Sequence, residues 1–206
     1  MVLQYHWAAV SPAEEASLVE KLNAATTTKI LKEGRTHVSL AEAPFYTRMK
    51  LARATTYTTM PPVTMHFLVG GAAPDWTVVR MNGTKDPIFK TNADAGLVLN
   101  KDTVVAYLAF VLGEIQSEEG ALRLVEQVDD ETFTKTPTPE ERKTVTHLIR
   151  PAKVAETADG FAVDAVVLYG DAVFNIELAV KKDGTFDIVK EEKLAENMPV
   201  RPIILE

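Results

Sequence analysis

Two carboxylates in the last quarter of the chain each interrupt an apolar run, Asp164 within Phe161–Tyr169 and Glu177 within Ala172–Val180. A carboxylate in apolar surroundings, close to a second one, is less inclined to ionise, and such a group can carry a proton as general acid or base. Lys153, in the preceding run Val145–Glu156, supplies a cation beside them. The three read either as an acid–base site or as a solvated cross-strand ion cluster that contributes little. Strand pairing decides which side chains meet.

Gly170-Asp171 is a two-residue hairpin turn with glycine first, which suits a type II′ geometry and pairs Tyr169 with Ala172. Counting back, Val167 faces Phe174, Ala165 faces Ile176, Val163 faces Leu178 and Phe161 faces Val180, so one face is apolar on both strands. A three-residue loop, Lys182-Asp183-Gly184, preserves that face by setting Val180 against Phe186 and Leu178 against Ile188. A two-residue loop would bring Asp187 into it, because a slip of one residue turns every side chain over. On the opposite face Asp164 then lies across from Glu177, and like charges so placed are destabilising without compensation. With Thr157–Gly160 as the first turn, Lys153 falls across from Asp164. Val166, Leu168, Val173 and Val189 share this face, so part of it is expected to be covered.

Other chemistry has little material. There is no cysteine, which excludes disulfides and thiolate sites. Ser11, Ser17, Ser39 and Ser117 lack a Gly-x-Ser-x-Gly context, and His6, His37, His66 and His147 show no metal-ligand spacing. Neither form of glycine-rich phosphate loop occurs, since Gly70-Gly71 runs on into Ala-Ala-Pro; no cofactor or metal is expected. The same loop ends in Trp76, a candidate binding residue where exposed and an anchor for the loop where buried. Glu118-Glu119-Gly120 is expected at a helix end, where the dipole disfavours acid.

The charge is uneven along the 206 residues. Residues 1–100 carry ten Lys/Arg and eight Asp/Glu, whereas residues 101–206 carry twelve and twenty-one. Phosphate binding needs a basic stripe, and the only candidate is Arg48, Lys50 and Arg53, so no nucleic-acid partner is expected. Met1–Ser17 lacks the pattern of a signal peptide, and the longest apolar runs fall short of a bilayer span. The expectation is a soluble, cytoplasmic protein without a membrane partner.

Ser11-Pro12-Ala13-Glu14 predicts a helix start with a capping box, and Thr26-Thr27-Thr28 a bend or end before Gly34. Pro44 to Phe89 reads as strands, Tyr46–Thr59, Val63–Val69 and Thr77–Met81, cut by turn residues. A second helix is predicted from Asp102 or Thr103 to about Gln116, with Gly120 available to stop it. Ala121–Val128 reads as a strand, Asp129–Lys143 as an exposed loop, and Val145–Glu156, Phe161–Tyr169, Ala172–Val180 and Thr185–Lys190 as strands. The fold class is α+β, helices against antiparallel meander. Helix-then-strands occurs twice, suggesting units 1–100 and 101–206, with one continuous domain as the alternative.

Tyr107-Leu108-Ala109-Phe110, Glu118-Glu119-Gly120 and Leu122-Arg123-Leu124-Val125-Glu126 resemble a stretch of about twenty residues in uncharacterised bacterial proteins, a resemblance that implies no activity. The carboxy-terminal half is similar in outline to cystatin-like and NTF2-like folds, which implies a helix across a bent sheet and an apolar pocket. Three functions follow as expectations. The first is a non-catalytic protein binding a small apolar ligand or a protein partner. The second is an acid–base enzyme in a sheet-lined pocket using Asp164 or Glu177 with Lys153. The third is a homodimeric scaffold component.

Overall fold

The computed structural model describes residues 5–118 and 120–200. The fold is α+β, and the chain divides after Leu97 into two compact units.

The first unit is an antiparallel sheet of five strands in chain order, β1 (Ala8–Ala9), β2 (Thr36–Ala41), β3 (Met49–Thr56), β4 (Val63–Gly70) and β5 (Thr77–Arg80). Helix α1 (Pro12–Ala24) lies between β1 and β2, and α2 (Asp86–Ala95) follows β5. Proline opens α1 where no amide donor is needed. The expected capping box is absent: the Ser11 hydroxyl donates to the Glu14 carboxylate at 2.5 Å, and the Glu14 amide bonds the Ser11 carbonyl instead. The helix stops before the threonine run, where the Thr26 hydroxyl bonds the carbonyls of Asn23 and Thr28, an alternative to continuing the helical ladder. Its buried stripe, Leu18, Val19 and Leu22, packs on Val38, Ala52, Ala54, Phe67 and Val69 from the middle of the sheet. Each buried leucine contributes roughly 2 kcal/mol by removal from water.

Three features of this unit depart from the sequence expectation. Thr36–Ala41 is a strand that was not anticipated, and Tyr46–Thr59 shrinks to β3. The strand-like signal to Phe89 gives way to α2, which Pro87 starts and Gly96, at φ 71°, ends. A Cβ at Gly96 would fall 2.2 Å from Thr47 Oγ1, so the position admits only glycine on both counts.

The second unit begins with α3 (Val104–Glu114); Thr103 holds its N-cap position, but its side chain makes no capping hydrogen bond. It is apolar around most of its circumference and correspondingly buried, and its Tyr107 hydroxyl donates to the Gly184 carbonyl at 3.0 Å. The helix ends at Glu114, close to the expected Gln116, and Gly120 takes no part in stopping it; a short hairpin follows, β6 (Gln116–Ser117) with β7 (Gly120–Ala121). Glu118 therefore sits in a turn and not on a helix end, while Glu119 lies outside the described residues. Of the expected strand Ala121–Val128, only β8 (Arg123–Val125) remains in the main sheet.

The expected loop Asp129–Lys143 and strand Val145–Glu156 are both corrected. A 3₁₀ turn (Asp130–Thr132) and helix α4 (Pro139–Leu148) occupy this stretch, and only β9 (Lys153–Glu156) is a strand. The helix is started by a full capping box, in which the Thr138 hydroxyl accepts from the Glu141 amide and the Glu141 carboxylate from the Thr138 amide. Those hydrogen bonds, backbone first, hold the Glu141 carboxyl below its ordinary range.

The meander β10 (Gly160–Tyr169), β11 (Ala172–Lys181) and β12 (Phe186–Ala195) follows the expected register. Tyr169 pairs with Ala172, Val167 with Phe174, Val163 with Leu178, and Val180 with Phe186. Phe161, Val163, Ala165, Val167, Ile176, Leu178 and Val180 are buried along one face. The other face is covered at one end: Val166, Leu168 and Val173 pack with Val125, Phe133, Val145 and Ile149, so α4 and the 3₁₀ turn close over it. Sheet order is β12-β11-β10-β8, with β9 also paired to β10.

Candidate functional site

The uncovered end of that second face carries the charged row. Asp164 pairs with Lys153 on one side and with Glu177 on the other, and Glu177 pairs in turn with Lys190. The strands therefore bring together all three residues singled out in the sequence. Side-chain contacts run differently. Arg150, just beyond α4, directs Nη2 to both Asp164 oxygens at 2.8 and 3.1 Å and to Asn175 Oδ1 at 2.8 Å. Lys190 Nζ reaches Glu177 Oε1 at 3.4 Å and Glu192 at 3.9 Å. Lys153 is exposed and makes no ion pair among the described residues.

Each carboxylate thus has its own cation, and the like-charge opposition across the ladder is compensated from outside the three-residue row. The side chains of Arg150 and Asp164 are 37% and 31% exposed, so this is a half-wet ion cluster with modest energetic weight. Arg150 had no signal in the sequence, because it was read as part of a strand and its position depends on where α4 ends. Lys190 was not anticipated either: a bulge between Glu177/Leu178 puts it, and not Val189, opposite Glu177.

The first unit holds a cleft of about 460 Å³. It lies beside the amino-terminal end of α1, where Val10, Ser11 and Glu14 line it, on the sheet face that the helix covers farther along. Leu40, Lys50 and Val69 come from neighbouring strands on that face, Val10 and the Gly71 loop supply walls, and Trp76 lies at its side. Alternation along β3 and β4 explains the set, since Lys50, Ala52 and Ala54 share one face, as do Phe67 and Val69. Lys50 Nζ is paired with Glu42 at 2.6 Å, which places a charge pair beside apolar lining.

Trp76 is neither fully exposed nor fully buried. It is half-buried against the α1 core and its indole N–H donates to Ser17 Oγ at 3.1 Å, yet it also lines the cleft. The basic trio is split by the same alternation. Arg48 and Lys50 line the cleft, whereas Arg53 lies on the other face with its guanidinium 4.8 Å from the centre of the Trp7 ring. The three form no continuous stripe.

Among the described residues, no group of three or more His, Asp or Glu is placed to hold a metal ion, and no helix is long and apolar enough to cross a membrane. His6 lines the cleft, His37 stands edge-on to Tyr57 at 5.7 Å, His66 pairs with Arg53, and His147 is exposed in the last turn of α4. No known protein family, curated protein or solved structure matches the chain.

Proposed function

We propose that this is a non-catalytic binding protein whose first unit takes a small ligand, with an apolar body and one charged or polar end, in the cleft beside Trp76. The carrying observation is the make-up of that cleft: Leu40, Val69 and the indole supply apolar contact, and the Lys50–Glu42 pair together with His6, Glu14 and Arg48 supplies a polar side. Ligand sites set convergent polar groups beside apolar lining, the polar groups fixing orientation. The carboxylates that would serve an acid–base enzyme are in the other unit, each facing a cation, and they do not line the cleft. Binding is therefore preferred over proton transfer by Asp164 or Glu177.

The test uses 1-anilinonaphthalene-8-sulfonate, whose fused rings and sulfonate match both parts of the lining. In a Trp7→Phe background the single remaining indole N–H resonance reports Trp76. Saturable movement of that resonance, lost in Leu40→Glu, is the expected result. A stationary resonance, or unchanged binding by Leu40→Glu, would overturn the reading.

A further inference from the structure

We propose that this protein self-associates head to tail, the β3–β4 hairpin tip of one copy docking on the β12 edge of a second copy. The large apolar side chains left exposed among the described residues are Tyr57, Met60, Val98, Ile188 and Val189, and all but Val98 fall into two patches. One patch is the hairpin tip, where Met60 is 94% exposed and stands next to exposed Pro61 and Pro62. The other is on β12, where Ile188 is 44% and Val189 62% exposed. Exposed apolar clusters of this kind mark interaction surfaces more often than solitary apolar residues do.

The charges around the two patches are opposite. The Tyr57 amide bonds the Arg35 carbonyl at 2.9 Å and the Thr58 hydroxyl bonds that of Ile30 at 3.0 Å, which ties the tip to a loop bearing Lys29, Lys32 and Arg35. None of these three cations has an ion pair among the described residues, and Glu33 is the one acid between them. On β12, Asp187 and Glu191 flank the apolar pair and likewise have no ion pair, whereas Lys190 and Lys193 are engaged by Glu177, Glu192 and Glu196. Lys181 and Lys182 share the preceding turn region with Asp183 and Asp159, two charges of each sign, so the turn adds no net charge to the patch. Unpaired cations around one apolar patch and unpaired acids around the other are the complementarity that selects a second copy of this chain as the occupant.

The contact is made by side chains. Among the described residues β12 pairs with β11 alone, but its two register shifts and its charges oppose extension of the ladder by another strand. Because the two patches differ, each contact joins unlike surfaces, so two copies can satisfy it reciprocally or pass it on to further copies. The tip is at the Val63 end of β4 and the cleft at its Gly70 end, so the association leaves the ligand cleft open.

The experiment is sedimentation velocity of the full chain over a concentration series, with a benzophenone amino acid in place of Met60 to locate the contact. Concentration-dependent association is expected at low salt, receding to monomer near ~0.5 M salt, where the screening length falls to about 4 Å. Crosslinks from position 60 should land within residues 187–193 of another copy. Lys32→Glu/Arg35→Glu and Asp187→Lys/Glu191→Lys, all at exposed positions, should each be monomeric alone and associate when mixed. A chain that remains monomeric at about 1 mM overturns the proposal. So does a tip-to-tip crosslink, or failure of the mixed variants to associate while both retain the native circular dichroism spectrum.

Discussion

The two units finish their surfaces in opposite ways. In the first, the sheet face that α1 covers runs on beyond the helix and leaves Leu40, Val69 and Trp76 around an open cleft. In the second, the corresponding opportunity is closed: α4 covers the apolar end of the face, and the charged end is neutralised by Arg150 and Lys190. The eye is drawn to the charged row because charge within an apolar strand is unusual. What distinguishes a site for another molecule, however, is the interaction that the fold leaves incomplete. By that criterion the cleft is the better candidate, and the row is a device by which the sheet tolerates two acids on adjacent strands.

The contrast breaks most visibly if the second face of the meander is not truly covered. Leu168 is fully buried there, so Leu168→Ala should lower unfolding free energy by about 3 kcal/mol, through lost transfer energy and the cavity left behind. Chemical denaturation provides the measurement. A loss below about 1 kcal/mol would mean that the α4 side yields easily, and the second unit would then offer an opening of its own.

A smaller effect separates the two accounts of the row. Arg150→Ala removes the partner of both Asp164 and Asn175 and should cost roughly 1–2 kcal/mol, a charged hydrogen-bond value discounted for partial exposure. Lys153→Ala, although directly opposite Asp164 in the ladder, should fall within about 0.5 kcal/mol of the parent. Equal losses for the two would show that Lys153 takes a share of the Asp164 charge, and the row would then be the three-residue unit that its sequence suggests.

How far the sequence could be read depended on where its constraints were local. The meander was legible almost residue by residue, because Gly170-Asp171 and Lys182-Asp183-Gly184 fix turn lengths and an alternating face punishes any slip. The pairing of Lys153, Asp164 and Glu177 followed from the same counting. The region from Asp129 to Ala152 was misread, although Thr138-Pro139-Glu140-Glu141 carries a helix start as good as that at Ser11. Its helix is only ten residues long and buries chiefly Val145, so its apolar period was too weak to override the β-branched run that follows. Arg150 was lost with it. The cleft had no signature at all, since Leu40, Lys50, Val69 and Trp76 come together only through the pairing of β2, β3 and β4 and the point at which α1 ends its cover.

The smallest effect sharpens the comparison at the turn that sets the row's register. Asp183 Oδ1 accepts from the Thr185 hydroxyl at 2.7 Å and from the Thr185 amide at 2.9 Å. These bonds, the hydroxyl first, hold the Asp183 carboxyl below its ordinary value. A folded-state pKa below the unfolded one means that the unfolded chain binds the proton more readily. The stabilisation is therefore complete above the unfolded value, about 4, and is lost as pH falls through the lower folded value. Asp183→Ala should accordingly be less stable than the parent at pH 7, with the gap narrowing only in the acid limb below about pH 4. Denaturant midpoints of the two proteins across that range provide the check. A gap that stays constant into strong acid would assign the effect to backbone geometry of the turn rather than to its carboxylate, and the register would then rest on Gly184, at φ 86°, and on the apolar face alone.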